Sequence, residues 1–174
     1  MTVGIVGAGQ LGRMMALAGY PLGLDFLFLD PAEQPPAAQL APVLKSAFTN
    51  DDALGTLAGR CEVVTIDWEN ISVEALRKLG RETRVSPPLR AIATAQDRVR
   101  EKRLFEKLAI TTTRWRAVSS RRQLDSAIAD IGLPGVLKTR RMGYDGKGQA
   151  VLRTAADVDR GWTLLGQVDR KSVV

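Results

Sequence analysis

Two glycine-rich stretches carry the residue types that can hold a phosphorylated ligand. The first, Gly7-Ala8-Gly9-Gln10-Leu11-Gly12, has G-x-G-x-x-G spacing. The second runs Gly143-Tyr144-Asp145-Gly146-Lys147-Gly148-Gln149, behind the basic run Lys138-Thr139-Arg140-Arg141. Glycine lets a backbone approach a ligand closely and exposes N–H groups that suit phosphate oxygens. Lys138 and Lys147 put positive charge at the base and tip of the second stretch. Two readings fit it: a lid over the phosphates of a nucleotide, or a solvated hairpin turn with basic decoration. It is not a Walker A loop, because Gly146-Lys147 is followed by Gly148 where Ser or Thr is required. Asp67 and Glu69, in Asp67-Trp68-Glu69-Asn70, follow an apolar run. Carboxylates beyond the end of a strand can contact a substrate, or they can cap the next helix.

Composition removes several chemistries. The 174 residues contain no histidine, so imidazole acid–base catalysis and histidine metal ligation are excluded. Cys61 is the single cysteine, beside the apolar run Val63-Val64-Thr65-Ile66, and reads as a core thiol. Any metal would be a hard ion held by oxygens. The net charge of +6 is spread among acids, as in Asp97-Arg98-Val99-Arg100-Glu101-Lys102-Arg103, and only 5% of residues are aromatic. That composition gives no base-stacking platform for nucleic acid, and it suits anionic small molecules. No apolar run reaches membrane-spanning length, and no secretory signal is expected at the start.

The positioning elements follow from the pattern. Residues 2–6 read as a buried strand entering the first glycine turn, and Met14, Met15, Leu17 and Ala18 lie on the helix that leaves it. A second strand over 25–29 ends at Asp30, 18 residues after Gly12, near the offset of a ribose-binding carboxylate. A Pro/Ala-rich loop over 31–42, a short strand over 43–48, a helix opened by Asn50-Asp51-Asp52, a strand over 62–66, a helix over 72–79 and a short strand at 84–86 continue the alternation. Such alternation predicts an α/β domain with a parallel sheet. Next come a short helix over 89–95 and a helix capped by Asp97, with Val99, Leu104, Phe105 and Leu108 as its apolar stripe. Arg98 at the start of that helix opposes the dipole; it reads either as a ligand contact or as a solvated arginine. Later elements are a strand over 112–115, a helix from Ser119 or Ser120 to Gly132, the glycine hairpin and a last helix over 154–166. They predict a second, α+β unit with antiparallel strands, and a division of the chain into 1–95 and 96–174.

Gly9-Gln10-Leu11-Gly12-Arg13-Met14, Asp67-Trp68-Glu69-Asn70, Gln96-Asp97-Arg98 with Glu101-Lys102, and Leu137-Lys138-Thr139-Arg140-Arg141 with residues 143–149 occur in one order. Together, over residues 2–166, they resemble the 5-(carboxyamino)imidazole ribonucleotide synthetase family of purine biosynthesis, an ATP-grasp ligase. The resemblance implies a Rossmann-like pre-ATP-grasp domain followed by the first α+β subdomain of a truncated ATP-grasp fold. It implies ATP and magnesium as cofactors, and aminoimidazole ribonucleotide and bicarbonate as substrates. It also implies a cytoplasmic, homodimeric full-length enzyme. By the same resemblance Arg98, Lys138, Gly143, Tyr144, Asp145, Gly146, Lys147, Gly148 and Gln149 face ATP, and Gly9, Gln10, Leu11 and Glu69 face the ribonucleotide. Lys147, Tyr144 and Glu69 take catalytic roles. Lys147 stands where the family commonly has arginine, and Asp67 where it often has glutamate, which leaves the role of Asp67 open.

No metal ligands are expected in this portion; Asp157, Asp159 and Asp169 are expected to face solvent. The closing residues 169–174 match no part of the family, so a truncated product without turnover is expected. A rival reading rests on the first glycine turn and Asp30 alone: an NAD(P)-dependent oxidoreductase. A third is a nucleotide- or partner-binding module without catalysis.

Overall fold

The computed structural model describes residues 1–143, 146–166 and 172–173. The chain forms two compact units, Met1–Ala93 and Thr94–Val174.

The first unit runs β1 (Thr2–Val6), α1 (Gln10–Gly19), β2 (Asp25–Asp30), β3 (Val43–Lys45), α2 (Asp51–Arg60), β4 (Val63–Ile66), α3 (Val73–Glu82) and β5 (Arg84–Val85), and α4 (Leu89–Ala95) begins in it. Its sheet has the order β3-β2-β1-β4-β5 and every pairing is parallel. Both faces are covered. Successive strand residues point to opposite sides, so Val6, Leu27 and Leu29 join Leu57, Leu76 and Leu79 from α2 and α3. Ile5, Phe26 and Phe28 pack on the other face with Ala16 of α1. Asn50 Oδ1 accepts from Ala53 N at 2.9 Å and Ser72 Oγ from Ala75 N at 3.4 Å, so polar residues start α2 and α3 as the sequence predicts. Cys61 is buried, and burial pushes its thiol up to about 11, which fits a core thiol. The strand order reverses between β1 and β4, the place where open parallel sheets form their ligand crevice.

The second unit contains α5 (Arg98–Lys107), β6 (Ala117–Val118), α6 (Arg121–Ile131), β7 (Gly135–Thr139), β8 (Gln149–Leu152), α7 (Ala155–Gly166) and β9 (Ser172–Val173). Its antiparallel sheet has the order β6-β9-β7-β8. Leu124 of α6, Leu137 of β7, Leu152 of β8 and Val158 and Leu165 of α7 form one core. Leu137 is buried in this core and Thr139 is buried on the same face of β7, and alternation turns Val136 and Lys138 to the other face.

Four expectations are corrected. The strand expected over 112–115 is absent; the pairing residues are Ala117 and Val118, because those are the ones that meet β9. The strand at 172–173 was not anticipated, yet it lies between β6 and β7. On α5, Val99 is buried and Leu104 and Phe105 are half-buried, but Leu108 lies past the helix end and is exposed. Asp157 does not simply face solvent. Its Oδ2 accepts from Arg153 N at 3.0 Å and Thr154 N at 2.8 Å, while its own N–H reaches Thr154 Oγ1 at 3.3 Å. This reciprocal arrangement is a capping box at the start of α7. Asp159 is exposed and pairs with Arg121, and Asp169 lies outside the described residues.

The cap has a pH signature. Hydrogen bonds from Arg153 N and from the hydroxyl and N–H of Thr154, then from Arg160, lower the Asp157 carboxyl from 3.8 to about 2. A carboxyl that binds its proton less tightly when folded stabilises the fold above its ordinary value. That contribution is lost as pH falls through about 2. The Thr154 amide signal is therefore expected to titrate with a midpoint near 2 in NMR spectra, and to be flat over the same range in Asp157→Asn. A midpoint at 3.8 would refute the cap.

Candidate functional site

In the first unit, register Val6↔Ile66 between β1 and β4 makes the glycine turn and the segment 67–70 leave the sheet side by side. Asp67 Oδ2 accepts from Gly9 N at 2.6 Å and from Gly12 N at 3.3 Å. Gly7 holds φ +101°, and a Cβ built there would lie 2.1 Å from Asp67 Oδ1. A Cβ on Gly9 or Gly12 would lie 3.0 or 3.1 Å from Asp67 Oδ2. The glycines are thus needed for the approach of the protein's own carboxylate. Asp30 acts on the other side: Oδ2 accepts from Ala8 N and Oδ1 from Ala32 N, each at 2.8 Å. The carboxylate that a dinucleotide reading assigns to a ribose has both oxygens on backbone N–H groups. Burial raises the Asp67 carboxyl above its ordinary value against the pull of the Gly9 and Gly12 N–H groups, and the charge of Asp30 raises it further. Gln10 and Leu11 are exposed on the first turn of α1, Gly9 is half-buried, and Glu69 is exposed two residues beyond Asp67.

In the second unit, two motifs that are 43 residues apart at Asp97 and Arg140 interlock. Asp97 Oδ1 accepts from Val99 N at 3.1 Å and Arg100 N at 3.3 Å as the N-cap of α5, and from Arg140 Nε at 2.6 Å. Asp97 is 3% exposed, so this ion pair is largely out of water. Burial alone would raise its carboxyl; the hydrogen bond and charge of Arg140 together with the N–H groups outweigh it and lower the value. Arg141 Nη2 donates to Gln96 Oε1 at 3.3 Å. Arg98 donates from its N–H to Arg140 O at 3.1 Å, from Nε to Thr139 O at 3.0 Å and from Nη2 to Gly143 O at 3.0 Å. Arg98, read as a ligand contact or a solvated side chain, therefore ties the start of the glycine loop to the end of β7. Gln96, Thr139, Arg140 and Arg141 stand in the sequence motifs without an expected role of their own. The available signals were the unbroken polar run Thr139-Arg140-Arg141 at the end of an apolar strand and the polar pair Gln96-Asp97 after a helix.

The loop returns through Gly146 and Gly148, at φ +79° and +69°, to Gln149, which pairs with Lys138. Tyr144 and Asp145 lie outside the described residues. Thr139 N donates to Gly148 O at 2.8 Å, closing the neck. Thr139 Oγ1 is buried there without a hydrogen-bond partner among the described residues. An orphaned buried hydroxyl costs about 1–3 kcal/mol. Thr139→Val, which keeps the shape, is expected to raise the unfolding midpoint, whereas a paired hydroxyl would make it fall; differential scanning calorimetry decides.

Lys138 and Arg98 stand at a cavity of about 700 Å³ lined also by Glu101, Lys102, Phe105, Trp115 and Val136. Its apolar walls and cationic groups suit an aromatic base carrying anionic groups, and its size is that of a small-molecule site. Lys147 is exposed. Among the described residues no group of three Asp, Glu, Cys or His side chains could hold a metal ion.

A parallel sheet with an internally braced glycine turn, followed by an antiparallel unit with a lysine on the strand that leads into a glycine loop, defines a pre-ATP-grasp and ATP-grasp pair. The ribonucleotide synthetase pre-ATP-grasp domain model matches residues 1–96 and the ATP-grasp domain model residues 103–174, so the chain belongs to the ribonucleotide synthetase pre-ATP-grasp family. The ATP-grasp match extends to residue 174, so residues 169–174, expected to match no part of the family, fall within it. The chain is 45% identical to an N5-carboxyaminoimidazole ribonucleotide synthase of Pseudomonas aeruginosa over 97% of its own residues and 47% of that relative. It is similar to the N5-carboxyaminoimidazole synthetase of Staphylococcus aureus complexed with ADP, with TM-score 0.92 and 33% identity over 99% of this chain and 46% of that one. The N5-carboxyaminoimidazole synthase of Aspergillus clavatus, in complex with ADP and 5-aminoimidazole ribonucleotide, aligns with TM-score 0.85 and 26% identity over 99% of this chain and 45% of that one. The chain spans a little under half the length of these relatives.

Proposed function

We propose that the chain provides nucleotide- and ribonucleotide-binding parts of an ATP-grasp carbon–nitrogen ligase. The reaction is the ATP-dependent carboxylation of 5-aminoimidazole ribonucleotide with bicarbonate, in purine biosynthesis. The observation that carries this reading is the Gln96-Asp97-Arg98 lattice, which holds the neck of the glycine loop to the end of β7, where Arg98 and Lys138 line the cavity. ATP transfers its γ-phosphoryl group to bicarbonate, with ADP as the leaving group. The exocyclic amine of the ribonucleotide then attacks the carboxyphosphate carbon, or carbon dioxide released from it, and phosphate departs. Lys138 neutralises nucleotide phosphate charge and borders the adenine. Arg98 acts on the nucleotide through the loop backbone that it fixes. N–H groups of Gly143, Gly146 and Gly148 face charge that develops on the transferred phosphoryl group. Tyr144, Asp145, Lys147 and Gln149 complete the ATP side. Gly9, Gln10, Leu11 and Glu69 bind the ribonucleotide, and Lys147, Tyr144 and Glu69 serve its carboxylation. Such ligases use magnesium on the phosphates, and the described residues offer no acidic cage for it. In this reading the full-length enzyme is a cytoplasmic homodimer.

The reading is tested by calorimetric titration of the purified chain with ADP and, separately, with 5-aminoimidazole ribonucleotide. Both are expected to bind. Lys138→Ala is expected to weaken ADP about 30-fold, equivalent to about 2 kcal/mol of a charge-assisted contact, and to leave the ribonucleotide unchanged. Tight NADH binding with no response to either ligand would favour the oxidoreductase reading.

A further inference from the structure

We infer that Asp67 is an internal anion. Its carboxylate fills the place that a ligand phosphate takes in a G-x-G-x-x-G turn, and makes that turn a rigid support for the exposed Gln10 and Leu11 that refuses the pyrophosphate of a dinucleotide. The assignment of the acceptor to Gln10 and Leu11 rests on the function proposed above; the occupation of the turn does not.

Such a turn binds pyrophosphate with the N–H groups beside its glycines and with the positive end of the following helix. Here Gly9 N and Gly12 N donate to Asp67 Oδ2, and Ala8 N donates to Asp30 Oδ2. Space is spoken for as well: the Cβ directions of Gly7 and Gly9 end on Asp67 carboxylate oxygens, and that of Gly12 meets Asp67 Oδ2 and the Phe28 ring alike, at 3.1 Å. A dinucleotide would have to expel a carboxylate from three glycines and leave it beside Asp30. Gln10 and Leu11 differ, because as the first residues of α1 their N–H groups have no acceptor within the helix. Asp67 is therefore a positioning residue. It sets the first turn of α1 and leaves only the outer N–H groups for a ligand.

Anion rescue tests this. Thermal unfolding of the full chain is measured for wild type, Asp67→Ala and Asp67→Ser, with 20 mM inorganic phosphate or with chloride of equal ionic strength. Wild type is expected to respond to phosphate by less than about 1 °C. Each variant is expected to unfold earlier and to regain about 4 °C or more with phosphate, as a vacated anion seat is refilled. If a variant does not fold in chloride, its refolding yield is titrated with phosphate instead, and recovery is expected. NADH fluorescence titration is expected to show binding to Asp67→Ala at least tenfold tighter than to wild type. Phosphate responses of the variants equal to that of wild type, or a refolding yield that phosphate does not move, would overturn the inference. Neither result involves ADP or the ribonucleotide, so failure here leaves the proposed function standing, and failure of those titrations leaves Asp67 in the turn.

Discussion

Asp97→Ala is expected to destabilise the second unit by about 3 kcal/mol and to abolish ADP binding with it. Two losses combine. The cap of α5 disappears, worth about 1 kcal/mol. Arg140, 25% exposed at its side chain, loses the carboxylate that holds its Nε at 2.6 Å. Breaking a buried pair from one side typically costs 3–5 kcal/mol. Arg140 is less buried than Asp97, so the combined figure sits at the low end. For a unit of this size the midpoint should drop by more than 10 °C. Asp97→Asn keeps the cap and one acceptor, so it should recover about half of the loss. Chemical denaturation of the three proteins decides, and an alanine variant as stable as wild type would remove the lattice from the account.

The second large effect is expected at Gly148. Alanine there meets two obstacles. The backbone holds φ +69°, and the new Cβ would sit 2.5 Å from Thr139 Oγ1. A strained left-handed residue costs about 1–3 kcal/mol. The hydroxyl cannot retreat, because Thr139 is 1% exposed. The neck of the loop must shift, and the Thr139 N–H to Gly148 O bond with it. ADP affinity is expected to fall at least tenfold. Gly148→Ala combined with Thr139→Ala removes the collision and keeps the φ penalty, so it should recover part of the affinity. A simple sum of the two single effects in a titration cycle would show that the contact does not matter.

Local signals were legible in the sequence where one segment carried its own partners. Asn50, Ser72, Asp97 and Ser120 sit ahead of helical runs, and each caps the helix it precedes. The β1 turn and the parallel sheet follow from spacing and alternation. The strand expected at 112–115 failed for the opposite reason: Thr-Thr-Arg-Trp has strand propensity, but pairing is decided by which residues face a neighbour. The same gap left the role of Asp67 open. Its partners Gly9 and Gly12 are 58 and 55 residues away, and only the adjacency of β1 and β4 brings them to it. Arg98 was found as a candidate by its unfavourable place on α5, but its partners are backbone carbonyls, which leave no mark on side-chain patterns. Lys138 stands out in the sequence because a lysine at the end of an apolar strand has few structural reasons to be there, and in the fold it lines the cavity of the second unit.

The order β6-β9-β7-β8 sets a schedule for synthesis. Among the described residues β6 meets its sheet only through β9. Residues 117–118 leave the ribosome long before 172–173, so β6 must wait while α6, β7, β8 and α7 emerge. The β7–β8 hairpin can close early, since its strands are neighbours in sequence, and α6 and α7 can dock on it. During that interval the edge of β7 that later takes Ser172 and Val173 is open. An open edge beside a finished hairpin is a template for another chain. Nascent chains paused before codon 172 are thus the species most exposed to pairing with one another.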